Sequence, residues 1–267
     1  MIHYGVVIPA RNSEAHIKYS VTSIKDQALK PKLIVVVDDS SSDRTGDVAS
    51  KLGARVVRIR RKSRVSAVAT PYLAYVINCG LRLLEKENLD YVMISGADCI
   101  YPRNYVKLLI KRMIRERVVL ASGVIAGEYT SYLSVRGSGR IINAKWFRTL
   151  GFKYPTNYGY ETWLIFKALT QGLKVKVYRD LKFVSIRKTS FNRKKAYLYG
   201  KAMKALGYLP QYVLARVFLT ALLQGHQEAK HMLLGYIKYG GNGYNSIHRY
   251  AKIIQLRALV RKLFSKH

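Results

Sequence analysis

Short β-branched runs alternate with helical stretches from residue 4 to residue 98, and this alternation constrains the fold more than any other feature. YGVVIP (4–9) reads as a buried strand ending at Pro9, and LIVVV (33–37), ARVVRI (54–59) and YVMISGAD (91–98) read the same way. Helical stretches are expected over about 14–29, 43–52 and 71–87, the second capped by Ser42 or Asp43. Strands separated by helices predict an α/β chain with a mostly parallel, Rossmann-like sheet covered by helices on both faces. Ligands of such sheets bind beyond the carboxyl ends of the strands. Acids stand at two of those ends: Asp38 and Asp39 after one strand, Asp98 after another.

Those acids are scarce. The 267 residues hold 47 Lys and Arg against 15 Asp and Glu, a formal net charge of +32, with 49% apolar residues. The length suits one large domain or a domain with an appendage, and the balance excludes an acidic disordered chain. Such a chain is drawn to polyanions: nucleic acid, anionic lipid or phosphate-bearing substrates. Cys79 and Cys99 lack a CxxC partner or a nearby His, so they read as reduced, buried thiols rather than a zinc site. The opening MIHYGVVIPARN is too short and lacks the basic start of a signal peptide. The longest apolar stretch, Leu209 to Leu223, is short for a membrane span and carries Arg216.

The chain changes character near residue 186. From Arg187 to His267 sixteen Lys and Arg face one acid, Glu228. YVLARVFLTALL (212–223) and YAKIIQLRALVRKLF (250–264) show helical apolar spacing with basic opposite faces, separated by the glycine-rich YGGNGYN (239–245). Residues 1–185 therefore read as one domain and 186–267 as a basic helical extension. The extension either lies on an anionic membrane or packs on the first domain with its basic face solvated. The first alternative makes the protein cytoplasmic and peripheral to the membrane.

Four segments appear in order: VVIPARN, VVVDDSSSDRT, SGADCIYP and LGFKYPTNYGYETWLIFKALTQG. Together they resemble a family-2 glycosyltransferase of the inverting GT-A type over residues 3–185, and the tail resembles extensions of members that act on lipid-linked acceptors. The resemblance implies a nucleotide-sugar donor whose base and ribose lie against Pro9 and Ala10, with Arg11 near the pyrophosphate. Asp39 would accept the imide N–H of uracil, since a carboxylate only accepts; guanine also presents such donors. Asp38 would hold the loop, or contact the donor beside it. Asp98 would meet a divalent ion, Mn2+ or Mg2+, although the first acid of the family's Asp-x-Asp is Gly96 here. Asn78 in INCG falls in a helix segment ending near the donor, where it would contact the donor or pack, with Ile77 where the family usually has Arg. Glu161 falls on the family's general base, and Arg187 or Lys188 would supply a cation for the leaving diphosphate. The basic stretch RIRRKSR (58–64) would complement the diphosphate or an anionic acceptor, or lie solvated.

The reading is thus a metal-dependent sugar transferase, UDP favoured over GDP, acting on a lipid-linked or glycan acceptor. The absence of QxxRW argues against a processive polysaccharide synthase. Two rivals fit the charge or Gly96: a basic nucleic-acid-binding protein, which lacks a recognisable motif here, and a degenerate transferase that binds without turnover. A nucleotidyltransferase is disfavoured by the missing glycine-rich, lysine-bearing loop.

Overall fold

The computed structural model describes residues 1–61, 66–128, 135–187 and 190–264, with residues 256–264 described by their backbone. The chain forms two compact units. The first comprises 1–66, 73–154 and 172–188; the second comprises 67–72, 155–171 and 189–267. This division differs from a single cut after residue 185, because 155–171 belongs with the C-terminal helices.

In the first unit, β1 (Tyr4–Ala10), β2 (Leu33–Asp39), β3 (Arg55–Ile59) and β4 (Tyr91–Ile94) form the parallel part of the sheet. Beyond β4 lie β7 (Arg140–Asn143), β6 (Val118–Ile125), β8 (Lys174–Ser185) and β5 (Cys99–Ile100). Among the described residues the sheet is eight-stranded, in the order β3-β2-β1-β4-β7-β6-β8-β5. The β4–β7, β6–β7 and β5–β8 pairs are antiparallel, and β6–β8 is parallel.

Alternation along β1 explains the layers. Tyr4, Val6, Ile8 and Ala10 face a core shared with α1 (Glu14–Lys25), α2 (Thr45–Lys51) and α4 (Tyr105–Glu116). Gly5 and Val7 face α3 (Pro71–Glu85): an added Cβ on Gly80 would lie 2.6 Å from Val7.

Several boundaries fall inside the expected ones. α1 stops at Lys25, and the buried Gln27 just beyond it links Ser23 O of the helix to the segment before and in α4. Its Nε2 donates to Pro102 O at 2.9 Å and its Oε1 accepts from Val106 N at 3.0 Å. β4 stops at Ile94 rather than 98. There Ser20 Oγ donates to Gly96 O at 2.9 Å and fixes the turn that carries Asp98. Arg44, not Ser42 or Asp43, holds the N-cap position of α2.

In the second unit, α6 (Tyr160–Thr170), α7 (Arg193–Ala205), α8 (Pro210–Leu223), α9 (His226–Ile237) and α10 (Asn245–Phe264) pack together. Ala196, Met203, Val213 and Met232 form its small core. α7 and α9 approach closely: a Cβ on Gly200 would lie 2.0 Å from Met232 O, and one on Gly235 2.0 Å from Tyr197 O. Glycine at both positions lets the two backbones meet. The outer face of α8 corrects the expected pattern. Leu214, Phe218 and Leu222 are 58%, 67% and 66% exposed, while Arg216 reaches over the ring of Tyr199 at 5.7 Å. This helix turns an apolar stripe outward, not a basic one. No helix among the described residues is long and apolar enough to cross a membrane.

Candidate functional site

Three neighbouring strand ends converge. β1 lies between β2 and β4, so Pro9 and Ala10 stand between the acids that follow those strands. Val7 O accepts from Ser95 N at 3.0 Å, so Val7 and, two residues on, Pro9 direct their backbone groups to the β4 side. β4 has ended there, and proline's missing N–H costs the ladder nothing.

The β1–α1 and β2–α2 turns are tied together. The Asp43 carboxylate accepts from Glu14 N at 3.1 Å and Thr45 N at 3.0 Å, serving the first residue of both helices. Glu14 accepts from Arg44 N at 2.9 Å and pairs with its guanidinium. Burial pushes the Asp43 carboxyl up, but its hydrogen bonds with Thr45 and Glu14 outweigh this and hold it below the usual range. Asn12, with φ at 45°, accepts from Ser42 N at 2.9 Å. Arg11 lies half-buried in this turn, just after β1.

Asp38 and Asp39 are both buried and point to opposite faces of β2. Asp38 accepts from Ser41 N at 3.1 Å, and its Oδ2 would lie 2.6 Å from a Cβ on Gly46, at the start of α2. It also lines a cleft of about 480 Å³ with Ser40, Gly46, Asp47, Arg58 and Arg60. That hydrogen bond ties Asp38 to its own loop. Asp39 pairs instead with Arg61, Nη2 to Oδ2 at 3.0 Å, both side chains nearly buried. The Ser40 hydroxyl fixes this partner by accepting from Arg61 N at 2.8 Å while donating to Ile59 O. Sequence reasoning placed Arg61 only within a basic stretch. Its residues 62–64 lie outside the described residues, as does Lys188.

Of the two roles open to Asn78, donor contact and packing, its hydrogen bonds favour packing. Its Nδ2 donates to Tyr154 O and its Oδ1 accepts from Tyr154 N, both at 2.8 Å. The amide clamps a buried backbone and contributes packing rather than a donor contact.

The structure brings together two residues assigned separate roles. Arg187 Nε donates to Asp98 Oδ2 at 2.9 Å. The register Cys99↔Ser185 of the β5–β8 pair sets this meeting, extended by Ile186 N donating to Asp98 O at 2.9 Å.

Glu161 lies in the first turn of α6, half-buried, behind an N-cap Gly159 with φ at 75°. A carboxylate there complements the helix dipole. Trp163 lies 6.0 Å from the ring of Tyr244 within the second unit.

The description "Glycosyl transferase family 2" matches residues 5–180. The chain belongs to that family. Its α/β sheet with flanking helices is the GT-A fold. A mannosyltransferase from Pyrobaculum calidifontis, solved with GDP-Man and Mn2+, is 15% identical with a TM-score of 0.59, covering 99% of this chain and 88% of that one. Glucosyl-3-phosphoglycerate synthase from Mycobacterium tuberculosis, solved with Mn2+, UDP and glucosyl-3-phosphoglycerate, is 18% identical with a TM-score of 0.58, covering 76% and 78%. Among curated proteins, 4,4'-diaponeurosporenoate glycosyltransferase of Staphylococcus haemolyticus is 39% identical over 55 residues. The match takes 21% of this chain and only 14% of that relative's length.

Two of these relatives' structures were solved with Mn2+, but the described residues of this chain do not by themselves assemble a divalent-ion site. No group of three His, Cys, Asp or Glu stands together among the described residues. Asp98 is already bonded to a guanidinium.

Proposed function

We propose that this chain transfers a sugar, with inversion, from a nucleotide-diphosphate donor to an acceptor held at an anionic lipid surface. The observation that carries the donor half is the placement of Asp39 and Asp98 past strands flanking β1 in a family-2 glycosyltransferase. The nucleoside lies against Pro9 and Ala10, and Asp39 accepts from its base, uracil in preference to guanine. Glu161 takes the proton of the acceptor hydroxyl as that oxygen attacks the anomeric carbon.

The acceptor is lipid-linked, or a glycan presented near lipid. Support comes from the outward stripe of α8 and from the sixteen cations against one acid after residue 186.

Thermal unfolding with UDP, GDP and ATP tests the donor half. UDP at a hundredfold excess over its dissociation constant stabilises by about 2.7 kcal/mol. GDP does less, and Asp39→Ala removes the UDP response. Equal shifts from all three nucleotides, or none, with strong stabilisation by DNA, would support the nucleic-acid reading. Glu161→Gln lowers turnover about 10²-fold or more while leaving UDP binding intact; an unchanged rate removes Glu161 from the chemistry.

A further inference from the structure

We infer that Arg187, anchored by Asp98, supplies the positive charge that meets the donor diphosphate, a task a divalent ion could otherwise perform. The inference rests on the donor reading above and deepens it.

The pair is built asymmetrically. The Asp98 side chain is 16% exposed and that of Arg187 52%. The carboxylate is thus an inner anchor and the guanidinium an outer head. Only Nε of Arg187 is bonded among the described residues, which leaves both Nη groups to form a fork. Such a fork matches two phosphate oxygens at once. Strand pairing fixes the head: Cys99↔Ser185 and the Ile186 N to Asp98 O bond bring β8's end against the turn after β4.

The position of the absent acid is crowded as well. A Cβ on Gly96 would lie 2.9 Å from Ser138 Oγ and 3.0 Å from both Asp98 Oδ1 and Cys99 Sγ. A second carboxylate beside Asp98 would require Ser138, Asp98 or Cys99 to shift its side chain. A divalent ion on Asp98 would also sit against the guanidinium, which repels it.

In the transfer, the bond from the anomeric carbon to the diphosphate oxygen breaks with its electron pair leaving on that oxygen. The acceptor oxygen forms the new bond, and its proton passes to Glu161. Arg187 stays protonated throughout and stabilises the charge that the diphosphate gains. Arg187 touches substrate; Asp98 is a positioning residue.

Calorimetric titration of the full chain with UDP and with uridine tests this, each in EDTA and in excess Mn2+. UDP affinity is expected to agree between the two conditions within about twofold. Arg187→Ala lowers UDP affinity about tenfold or more, leaves uridine affinity unchanged, and Arg187→Lys falls between. Asp98→Asn weakens UDP less than Arg187→Ala does and introduces no metal dependence. A rise of about tenfold in wild-type UDP affinity with Mn2+, lost in Asp98→Asn and kept in Arg187→Ala, would overturn the inference and leave the donor reading standing. Failure of wild type to bind uridine or UDP under either condition would overturn the donor reading itself and the inference with it. Circular dichroism melts of each variant confirm that folded protein is being titrated.

Discussion

A carboxylate's neighbours decide what it does, and the four acids nearest the strand ends divide by those neighbours. Asp38 accepts from a backbone amide of its loop, and Asp43 from the first amides of α1 and α2. Asp39 and Asp98 pair with arginines from other segments, Arg61 and Arg187. The positions of these acids were legible from strand ends in the sequence. Their partners were not, because Arg61 and Arg187 lie 22 and 89 residues away along the chain and meet the acids only through sheet pairing. Asn78 makes the same point from the other side: its place on α3 was legible, but its amide is consumed by a backbone 76 residues on. Asn78→Ala leaves Tyr154 N–H and C=O unsatisfied, and is expected to cost about 1–3 kcal/mol in urea unfolding. Uridine affinity should remain within about twofold of wild type. A large affinity loss with stability intact would return Asn78 to the donor site.

At the level of elements, the order of strands and helices was readable because β-branched runs and helical spacing are local signals. Ends were less readable, since they depend on remote partners such as Gln27 against α4 and Ser20 against Gly96. The joined starts of α1 and α2 show what such an end is worth. Asp43→Ala strips both helices of an acceptor and is expected to cost about 1–2 kcal/mol at neutral pH. The folded-state pKa of Asp43 is depressed, so its contribution is present above the unfolded value of about 3.9 and is lost as pH falls through the folded value. The gap between wild type and variant should therefore close on acidification. Paired urea melts at neutral and acidic pH check it; a gap that widens toward low pH would refute the sign. The outward face of α8 was misread because helical periodicity locates an apolar stripe without saying which way it points. Val213 and Thr220 fill the inner side, and the stripe of Leu214, Phe218 and Leu222 is left outside.

For the whole molecule, charge and that stripe act together. In the proposed function a net +32 would draw the chain to an anionic surface, where exposed leucine and phenylalanine would bury. Phe218→Ser with Leu222→Ser should cut co-sedimentation with anionic vesicles several-fold at moderate salt, while neutral vesicles retain little of either protein. Equal retention of both proteins on anionic vesicles would leave charge alone as the attraction. The interleaving of the two units has a consequence for synthesis. α6 leaves the ribosome before β8, which completes the first unit's sheet, and before α10, which packs on α6. Phe166 waits for Tyr208 and Tyr250, and Trp163 for Tyr244. Until those residues emerge, the nascent chain presents an uncovered aromatic helix, which makes the interval between residues 171 and 250 the stretch of translation in which a chaperone has most to protect.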